Sequence, residues 1–512
     1  LETDPPENWL ASAAQPGWHI GFDPMHLPPV WFDRFAVALV GKGAELAPLS
    51  DNPVDAIWPD QPARPMAPAT PFPLQFAGQT VAGKCADLKG YMAQRQADFL
   101  VETQPDNIAW LLNVRGADVL HNPTVQSFLM VAASGAVTWF VEPGKLDADV
   151  MDHLPDDVGI ERPEGFIAEL ERQIGAGKRV LFDPDFSPVA VRFAVERAGA
   201  VPVAEPGWLT RTKARKNPTE LEGLRAAHIE DGVAWVEFSA WLAEAVPVRA
   251  GRGDPVTEAE AAARIAAFRA ARPGYCDESF HAISASGGNA AMCHYIPEAG
   301  RDAPILPDLP YLLDSGAQFE TGTTDATRCF NFGARPQGYD RAYTAVFKAF
   351  HALVSLRFPK GTRGHHIDAI CRRPLWDAGL DYDHGTGHGI GHRLSVHEHP
   401  LRIGRKVNDV DLMEGAVMTI EPGCYVENQF GIRIENTVEI VEGADGFLAF
   451  RSLTLAPIQT DMLIRENLSL AEEDWLADYH AKVKRQLDPF LSDRARQWLH
   501  SDSAGATGSA AA

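Results

Sequence analysis

No uninterrupted apolar stretch in this sequence reaches the length of about 18 residues that a membrane-spanning helix needs. Basic residues are also few, because 46 lysines and arginines stand against 69 aspartates and glutamates, a formal charge of -23. Anionic membranes and nucleic acids both attract proteins through clustered basic residues. We therefore expect neither a membrane nor a nucleic-acid partner, and the acidic charge is expected to favour solubility.

Cysteine is scarce, with six residues scattered over 512 positions and no short repeated spacing. This usage is typical of a cytosolic protein that keeps its thiols reduced. The first ten residues, LETDPPENWL, contain neither the basic region nor the apolar core of a signal peptide. A cytoplasmic location is therefore expected. Because the sequence does not begin with Met, we also expect the chain to be processed or incomplete.

Two segments of the sequence resemble each other. Residues 20–36 (IGFDPMHLPPVWFDRFA) and 180–196 (VLFDPDFSPVAVRFAVE) both contain an apolar strand, the tripeptide Phe-Asp-Pro and then a helical pattern. The repeat predicts two similar α/β domains in series. Since only 21 residues precede the first Phe-Asp-Pro and roughly 110 residues of the second domain precede the other, we expect about 90 residues of the first domain to be missing. A simply shorter first domain and chance similarity are the alternatives.

The pattern along the chain predicts a mixed α/β (α+β) protein. In the second domain we predict a helix, a strand and then a hairpin that turns at Ser134–Gly135. Asn217 and Thr257 each precede a helical pattern and are expected to cap a helix. The expected parts are the remainder of a first N-terminal α/β domain (1–57), a proline-rich linker (58–73), a second N-terminal α/β domain (74–215), a third and largest domain (216–460), a helical C-terminal extension (461–500) and a disordered tail (501–512).

The stretch HGTGHGIGHRLSVHEHP, which begins at His384, concentrates five of the 17 histidines of the chain. Four glycines among its first eight residues would let the backbone approach a site closely and leave room for a ligand. Histidine is a common metal ligand and a common acid–base group. This stretch is therefore the first candidate for chemistry.

Four carboxylates accompany these histidines in apolar, strand-like segments. Asp314 ends the run YLLD, and Asp325 follows eleven residues later, so a hairpin would bring the two together. Glu421 follows the apolar run AVMTI, and Glu435 lies in the alternating segment GIRIENTVEI. Alternation places Arg433, Glu435 and Thr437 on one face of a strand. Considered singly, each carboxylate is equally well explained as a turn, cap or solvated strand residue.

Considered together, the four carboxylates and a glycine-flanked imidazole favour a different interpretation. Carboxylates in apolar strands are costly unless they are paired or bind metal. Two divalent ions a few ångströms apart need bridging carboxylates, further carboxylates and an imidazole, and a water between the ions ionises near neutral pH. The sequence therefore predicts a two-metal hydrolytic site.

At this point four motifs become recognisable together: DSGAQFETGTTDATR, HGTGHGIGHRLSVHE, EPGCY and GIRIEN. Their combination resembles the Xaa-Pro aminopeptidases (aminopeptidase P) of the pita-bread metallopeptidase superfamily, in their long, three-domain form. The segments DNIAWLLNVRGADVLHNP, ESFHAISASGGNAAMCHY and LTLAPIQTDML extend the resemblance from about residue 1 to residue 500. It implies two creatinase-like N-terminal α/β domains, the first incomplete, followed by a pita-bread catalytic domain. It also implies a homodimer.

The resemblance implies two divalent metal ions per chain, Mn2+ in first place with Zn2+ or Co2+ as alternatives. The implied ligands are Asp314 for one metal, Asp325 and Glu435 as bridges, and His388 and Glu421 for the second metal. Glu421, His384 and His397 are the implied catalytic residues, with Glu421 as proton shuttle. His294, His384, His397 and Arg433 are the implied substrate-binding residues. His392 and His399 are expected to be incidental.

The expected reaction is hydrolysis of the bond between an N-terminal residue and a following proline, by attack of a metal-bridging hydroxide. Peptides with an Xaa-Pro N-terminus are the expected substrates. A prolidase that cuts Xaa-Pro dipeptides is the nearest alternative, although the three-domain layout and the spacing of nine between His388 and His397 favour aminopeptidase P. A catalytically inactive pita-bread binding module and a metal-free, creatinase-like amidinohydrolase are further alternatives, against which the intact carboxylates argue.

Overall fold

The computed structural model describes residues 4–501. Most of the tail for which disorder is expected, 502–512, lies outside the described residues. The chain divides into two compact units. Over the described residues, the N-terminal unit contains residues 4–119 and 123–213, and the C-terminal unit contains residues 120–122 and 214–501. Across 4–501, every helix is too short or too polar to span a bilayer.

The N-terminal unit contains ten α-helices and ten strands over its described residues. The helices are α1 Pro6–Ala13, α2 Pro29–Ala38, α3 Pro53–Ile57, α4 Leu74–Ala77, α5 Val81–Gln94, α6 Pro105–Leu111, α7 Ala148–His153, α8 Phe166–Gln173, α9 Val189–Arg197 and α10 Trp208–Ala214. The strands are β1 His19–Phe22, β2 Glu45–Pro48, β3 Thr70–Pro71, β4 Phe99–Glu102, β5 Val114–Arg115, β6 Phe128–Ala132, β7 Val137–Phe140, β8 Val158–Glu161, β9 Arg179–Phe182 and β10 Val201–Ala204.

The main sheet of this unit has the strand order β10-β9-β4-β6-β7-β8 and mixes parallel with antiparallel pairs. The predicted hairpin is present as β6 and β7, and Gly135 in its turn has a φ of 102°. That conformation favours glycine because a Cβ would be strained there. Helices α8 and α9 bury their apolar faces on one side of this sheet, around Leu170, Val180 and Val191.

The two Phe-Asp-Pro segments adopt the same local structure. In each, a strand, a turn and a helix lead to a second strand that pairs in parallel with the first, as β1, α2 and β2 and as β9, α9 and β10. The segments also bind each other reciprocally. Val30 N donates to Pro184 O at 3.2 Å, and the equivalent Ala190 N donates to Pro24 O at 3.0 Å. The repeat seen in the sequence is therefore a structural repeat.

The C-terminal unit contains six α-helices and fourteen strands over its described residues. The helices are α11 Pro218–Ala250, α12 Glu258–Ala270, α13 Tyr339–Val354, α14 Gly364–Asp377, α15 Leu470–Leu487 and α16 Asp493–His500. The strands are β11 Tyr275–Glu278, β12 Ile283–Ser286, β13 Tyr311–Ser315, β14 Ala317–Phe319, β15 Gly322–Thr323, β16 Ala326–Phe330, β17 Arg357–Pro359, β18 Gly387–Gly389, β19 Glu398–Ile403, β20 Val417–Ile420, β21 Gly423–Val426, β22 Phe430–Arg433, β23 Asn436–Glu442 and β24 Phe447–Ser452. Short 3-10 turns in the two units are Pro143–Lys145, Pro163–Gly165, Gly287–Ala291, Ala444–Gly446, Arg465–Asn467 and Asp488–Phe490.

Both predicted helix caps in this unit are confirmed. The side chain of Asn217 accepts from Glu220 N and the Glu220 side chain accepts from Asn217 N, which forms a capping box at α11. Thr257 accepts from Glu260 N at the start of α12. Satisfied first-turn amides stabilise these helix ends by about 1 kcal/mol each.

Two helix pairs, α11 with α12 and α13 with α14, each accompany a set of antiparallel strands, and β17 of the second set lies between α13 and α14 in the chain. The first set includes the sheet β12-β13-β16, and the second forms the sheet β17-β24-β23-β20-β18-β19. Large apolar side chains of α13, such as Phe347 and Phe350, pack against the second sheet. The mixed fold class predicted from the sequence is confirmed.

One prediction about a strand was wrong. The alternating segment GIRIENTVEI was expected to be one strand, but β22 ends at Arg433 and β23 begins at Asn436 in a different sheet. The backbone leaves the ladder because Glu435 N donates to Thr327 O at 3.3 Å and Glu435 O accepts from Arg328 Nη1 at 2.6 Å. Glu435 therefore sits at a crossover between sheets, fully buried.

Candidate metal centre

The two aspartates lie on neighbouring antiparallel strands. Asp314 is on β13 and is opposite Thr327 of β16, while Asp325 immediately precedes β16. The strands β14 and β15 occupy the excursion between them. As the hairpin argument predicted, both carboxylates reach one cavity.

His388 is the central residue of β18, which lies between β19 and β20. Its glycine neighbours allow the strands to approach. A Cβ on Gly387 would lie 2.0 Å from Thr419 O, and one on Gly389 would lie 2.4 Å from Glu398 O. Gly387 and Gly389 are therefore required by the packing of the strand that carries His388. Glu421 follows β20 directly.

The five side chains that the resemblance implied as metal ligands line one cavity of about 630 Å³. His388 Nε2 lies 3.5 Å from Asp325 Oδ2 and 3.5 Å from Glu421 Oε1. Asp325, His388 and Glu435 each offer one atom that could bind a metal ion, and these three atoms lie within 4.8 Å of one another. Asp314, Asp325 and Glu435 are buried, and Glu421 is partly exposed to the cavity.

Crowding of these carboxylates changes their acidity. Burial is the largest cause that raises the pKa of Asp325 well above its ordinary value, followed by the charges of Asp314 and Glu421. Burial also raises the pKa of Glu435 well above its ordinary value, with Asp325 as the next cause. The pKa of Glu421 is raised by burial as well. Such a cluster needs positive charge to hold its carboxylates ionised at neutral pH.

Two observations fit this cluster to bound cations. His388 Nδ1 lies 3.0 Å from Gly389 O, and a carbonyl only accepts, so Nδ1 carries a hydrogen and Nε2 is the ring nitrogen that can offer a lone pair to a cation beside two carboxylates. Buried Oδ1 atoms of Asp314 and Asp325 have no hydrogen-bond partner among the described residues. Lone pairs that converge in this way are typical of a metal site, and a backbone carbonyl commonly orients a metal-binding histidine.

A second group of residues surrounds the cluster. Arg433 Nη2 pairs with Asp314 Oδ2 at 2.5 Å, and Arg433 Nη1 donates to the Tyr425 hydroxyl at 2.6 Å. The Tyr425 hydroxyl lies 2.8 Å from His384 Nε2, and His384 Nδ1 donates to Gly385 O. Burial and then the charge of Arg433 lower the pKa of His384 to about 3, so the neutral ring accepts from Tyr425. Arg433, the Tyr425 hydroxyl and His384 thus form a connected chain.

The remaining predicted histidines lie on the cavity wall. His294 and His397 are exposed and line the cavity, and the ring of His397 lies 4.0 Å from that of His388. The nearby charge of His388, followed by burial, lowers the pKa of His397 to about 3. His392 is buried away from the cavity lining, but His399 lines it, which the sequence did not lead us to expect.

Three family models match successive parts of the chain. They are the Creatinase/Prolidase N-terminal domain at residues 60–220, metallopeptidase family M24 at 222–442 and the C-terminal region of peptidase M24 at 446–504. Aminopeptidase P1 of Lotus japonicus is 35% identical to this chain, over 96% of the chain and 84% of the relative. A probable Xaa-Pro aminopeptidase P of Laccaria bicolor is also 35% identical, over 96% of the chain and 78% of the relative.

This chain belongs to the aminopeptidase P family of M24 metallopeptidases. Its fold agrees with the crystal structure of X-prolyl aminopeptidase from Caenorhabditis elegans, which is described as a cytosolic enzyme with a di-nuclear active site. The two share 32% identity with a TM-score of 0.92, over 98% of this chain and 83% of the other. The family recognised from the motifs and the predicted creatinase-like and pita-bread fold are thereby confirmed.

Sequence reasoning missed several residues that line the cavity of this aminopeptidase P relative. They are Phe280, His281, Cys293, His399 and Arg402, and Tyr425 also belongs with them through its bond to His384. Tyr425 follows Glu421 within the motif EPGCY, so its position there was a usable signal. Arg402 gave no local signal, because its place in the cavity depends on the pairing of β19 with β18.

Proposed function

We propose that this chain is a metal-dependent aminopeptidase that releases the N-terminal residue from peptides with proline at the second position. The observation that carries the proposal is the convergence of four carboxylates and one imidazole lone pair on a single cavity. Support comes from relatives named aminopeptidase P, which match over 96% of the chain. The prolidase, inactive-module and metal-free alternatives have no comparable support.

Five side chains would hold two divalent ions. Asp314 would bind one ion, Asp325 and Glu435 would be shared, and His388 and Glu421 would bind the other. We favour Mn2+ because a set of four carboxylates and one imidazole suits a relatively hard ion, with Zn2+ or Co2+ as alternatives. Two such ions, when bound, lower the pKa of a water that they share and polarise the carbonyl oxygen of the substrate.

Glu421 is the proton carrier in this proposal. Its carboxylate is partly exposed to the cavity where the attacking water would enter, so it can take up a proton from that water. Glu421 Oε2 also lies 4.0 Å from His384 Nδ1. The proton is then delivered to the proline nitrogen as the C–N bond breaks, which makes that nitrogen a neutral leaving group.

The histidines on the cavity wall bind the peptide in this proposal. His294 and His397 are exposed to the cavity, and the neutral ring of His397 can donate to an oxygen of the substrate. His384 contributes through its bond to Tyr425. Arg433 was expected to bind substrate, but its guanidinium is already engaged with Asp314 and Tyr425. We assign Arg433 to positioning these two side chains as well as lining the cavity.

The test is mass spectrometry of digests by purified, manganese-loaded protein. The substrates are the tripeptide Ala-Pro-Ala and the dipeptide Ala-Pro, with Glu421→Gln as the inactive control. Release of alanine from the tripeptide, absent in the control, is the expected result. Cleavage of the dipeptide alone would indicate prolidase activity, and cleavage of neither by metal-loaded protein would contradict the proposal.

We further propose that the native protein is a cytoplasmic homodimer with two Mn2+ per chain. The dimer rests on the family resemblance, and the location is supported by the cytosolic description of the nematode enzyme. Light scattering after size exclusion gives the oligomeric state, and elemental analysis of protein purified from its own cells gives the metal. A monomer, or a different dominant metal, would overturn the corresponding part.

A further inference from the structure

One arginine on the cavity wall is chemically unlike the other basic groups of the site. Arg402 lines the cavity and is exposed. Among residues 4–501, its side chain has no hydrogen-bond or ion-pair partner. Arg433, by contrast, is neutralised by Asp314, and Lys216 by Glu398. Arg402 therefore presents an uncompensated positive charge to whatever enters the cavity.

Strand pairing fixes the direction in which Arg402 points. Its register partner across β18 and β19 is His388. Side chains that are directly opposite in an antiparallel pair lie on the same face of the sheet. Since His388 points at the carboxylate cluster, Arg402 extends over the same face. Its guanidinium lies beside Gly385, the neighbour of His384, because a Cβ built there would be 3.7 Å from Arg402 Nε.

Charge decides which end of a peptide Arg402 can contact. The ammonium of the first residue is attracted by the carboxylates and repelled by a guanidinium. The opposite charge on a short peptide is a carboxylate beyond the proline. An extended chain advances by about 3.3–3.6 Å per residue, so a carboxylate on the third residue lies about 7 Å beyond the scissile bond. The long side chain of Arg402, whose backbone is opposite His388, can reach a carboxylate at that distance from the scissile bond.

We infer that Arg402 is a specificity-determining residue that binds a carboxylate on the third residue of the substrate. The carboxylate comes from the free C-terminus of a tripeptide or from an acidic third side chain. This inference rests on the proposed aminopeptidase function. It predicts a preference for short or acidic Xaa-Pro peptides over neutral peptides of the same length.

Matched substrates test the inference. The first pair is Ala-Pro-Ala and its C-terminal amide, and the second is Ala-Pro-Glu-Ala-amide and Ala-Pro-Gln-Ala-amide. For the native protein we expect a kcat/KM about tenfold higher for the charged member, mostly through KM, which corresponds to about 1.4 kcal/mol. In Arg402→Gln the ratio should approach one, and Arg402→Lys should retain part of it because lysine keeps the charge but loses the fork.

A control variant and a binding measurement complete the test. Arg301→Gln removes an exposed arginine whose side chain pairs with Glu298, and its ratio should equal the native one. Preference in the first pair alone assigns the C-terminal carboxylate, and preference in both pairs assigns carboxylates in general. Equal rates within both pairs, or a ratio that survives in Arg402→Gln, would overturn the inference while leaving the aminopeptidase function intact.

Calorimetric titration of the dipeptide Pro-Ala and its amide does not depend on turnover. Tighter binding of the free acid by native protein, lost in Arg402→Gln, is the expected result. If no peptide is cleaved, the proposed function fails and this titration alone decides the role of Arg402. Equal affinity of the two dipeptides for the native protein would then refute it.

Discussion

His388 and Asp325 face each other across the cavity: Nε2 and Oδ2 are 3.5 Å apart, and the other ring nitrogen, Nδ1, donates to Gly389 O. An imidazole nitrogen and a carboxylate oxygen hold such a position when a proton or a cation lies between them. In the metal-free protein Asp325 and Glu435 have raised pKa values, so their carboxyl groups keep protons that a metal ion would displace. Metal binding and proton release should therefore be coupled.

The first prediction is that Mn2+ binding releases protons from Asp325 and Glu435 at a pH above the ordinary carboxyl range. The raised pKa values mean that the folded metal-free protein holds protons above the ordinary carboxyl range of about 4. The free energy of unfolding of the metal-free protein should therefore fall as pH rises through that window, because the unfolded chain has already lost these protons. Calorimetry in two buffers of different ionisation enthalpy measures the release. Asp325→Asn should release fewer protons, and equal heats in both buffers for the native protein would contradict the prediction.

The second prediction concerns the hydroxyl of Tyr425. Tyr425→Phe removes the donor to His384 and an acceptor of Arg433, so kcat/KM should fall about tenfold or more, as expected for a lost bond to a charged group. Tyr382→Phe is the matched control. The Tyr382 ring lies 4.7 Å from that of His384, but its hydroxyl bonds to Thr386. Equal effects of the two substitutions on kcat/KM would argue against the chain through Tyr425.

The third prediction compares two glycine substitutions. Gly387→Ala places a Cβ 2.0 Å from Thr419 O, so β18 must move away from β20 and carry His388 with it. We expect a lower melting temperature and weaker Mn2+ binding. Gly90→Ala lies within α5, where a Cβ meets nothing within 4 Å, and should stabilise the protein by up to about 1 kcal/mol. Native metal affinity in Gly387→Ala would contradict the role assigned to this glycine.

The fourth prediction concerns Arg328, which is buried and donates to the backbone oxygens of Thr327, Glu435 and Ala456. Lysine has fewer donors and no fork, so Arg328→Lys leaves buried carbonyls unsatisfied, each at a cost of about 1–3 kcal/mol. We expect a clearly lower urea midpoint and reduced metal affinity, because the backbone of Glu435 loses its donor. Arg373→Lys, on the exposed face of α14, should change stability by less than about 0.5 kcal/mol. Equal urea midpoints for the two variants would show that lysine can replace the guanidinium group of Arg328.

Predictions from the sequence succeeded where the signal was local or where several motifs occurred together. The capping box at Asn217 and the hairpin at Gly135 depend on residues a few positions apart. The motifs around His388 and the four carboxylates identified the family in combination. The crossover at Glu435 was missed because the segment alternates like a strand, and only a distant partner, Arg328, draws its backbone out of the ladder. Arg402 was missed for the same reason, since its position follows from strand register.

The reciprocal hydrogen bonds between the two Phe-Asp-Pro segments have the form of an isologous dimer interface, with the same donor and acceptor on each side. Because both halves belong to one chain, their association is intramolecular and does not depend on protein concentration. Because the two segments are encoded separately, the interface between them can also be asymmetric. Val189 N donates a further bond to Leu27 O, whereas the equivalent residue, Pro29, has no N–H to return it. The two repeats of the N-terminal unit therefore have different sequences within one chain, and a mutation changes one side of their interface without changing the other.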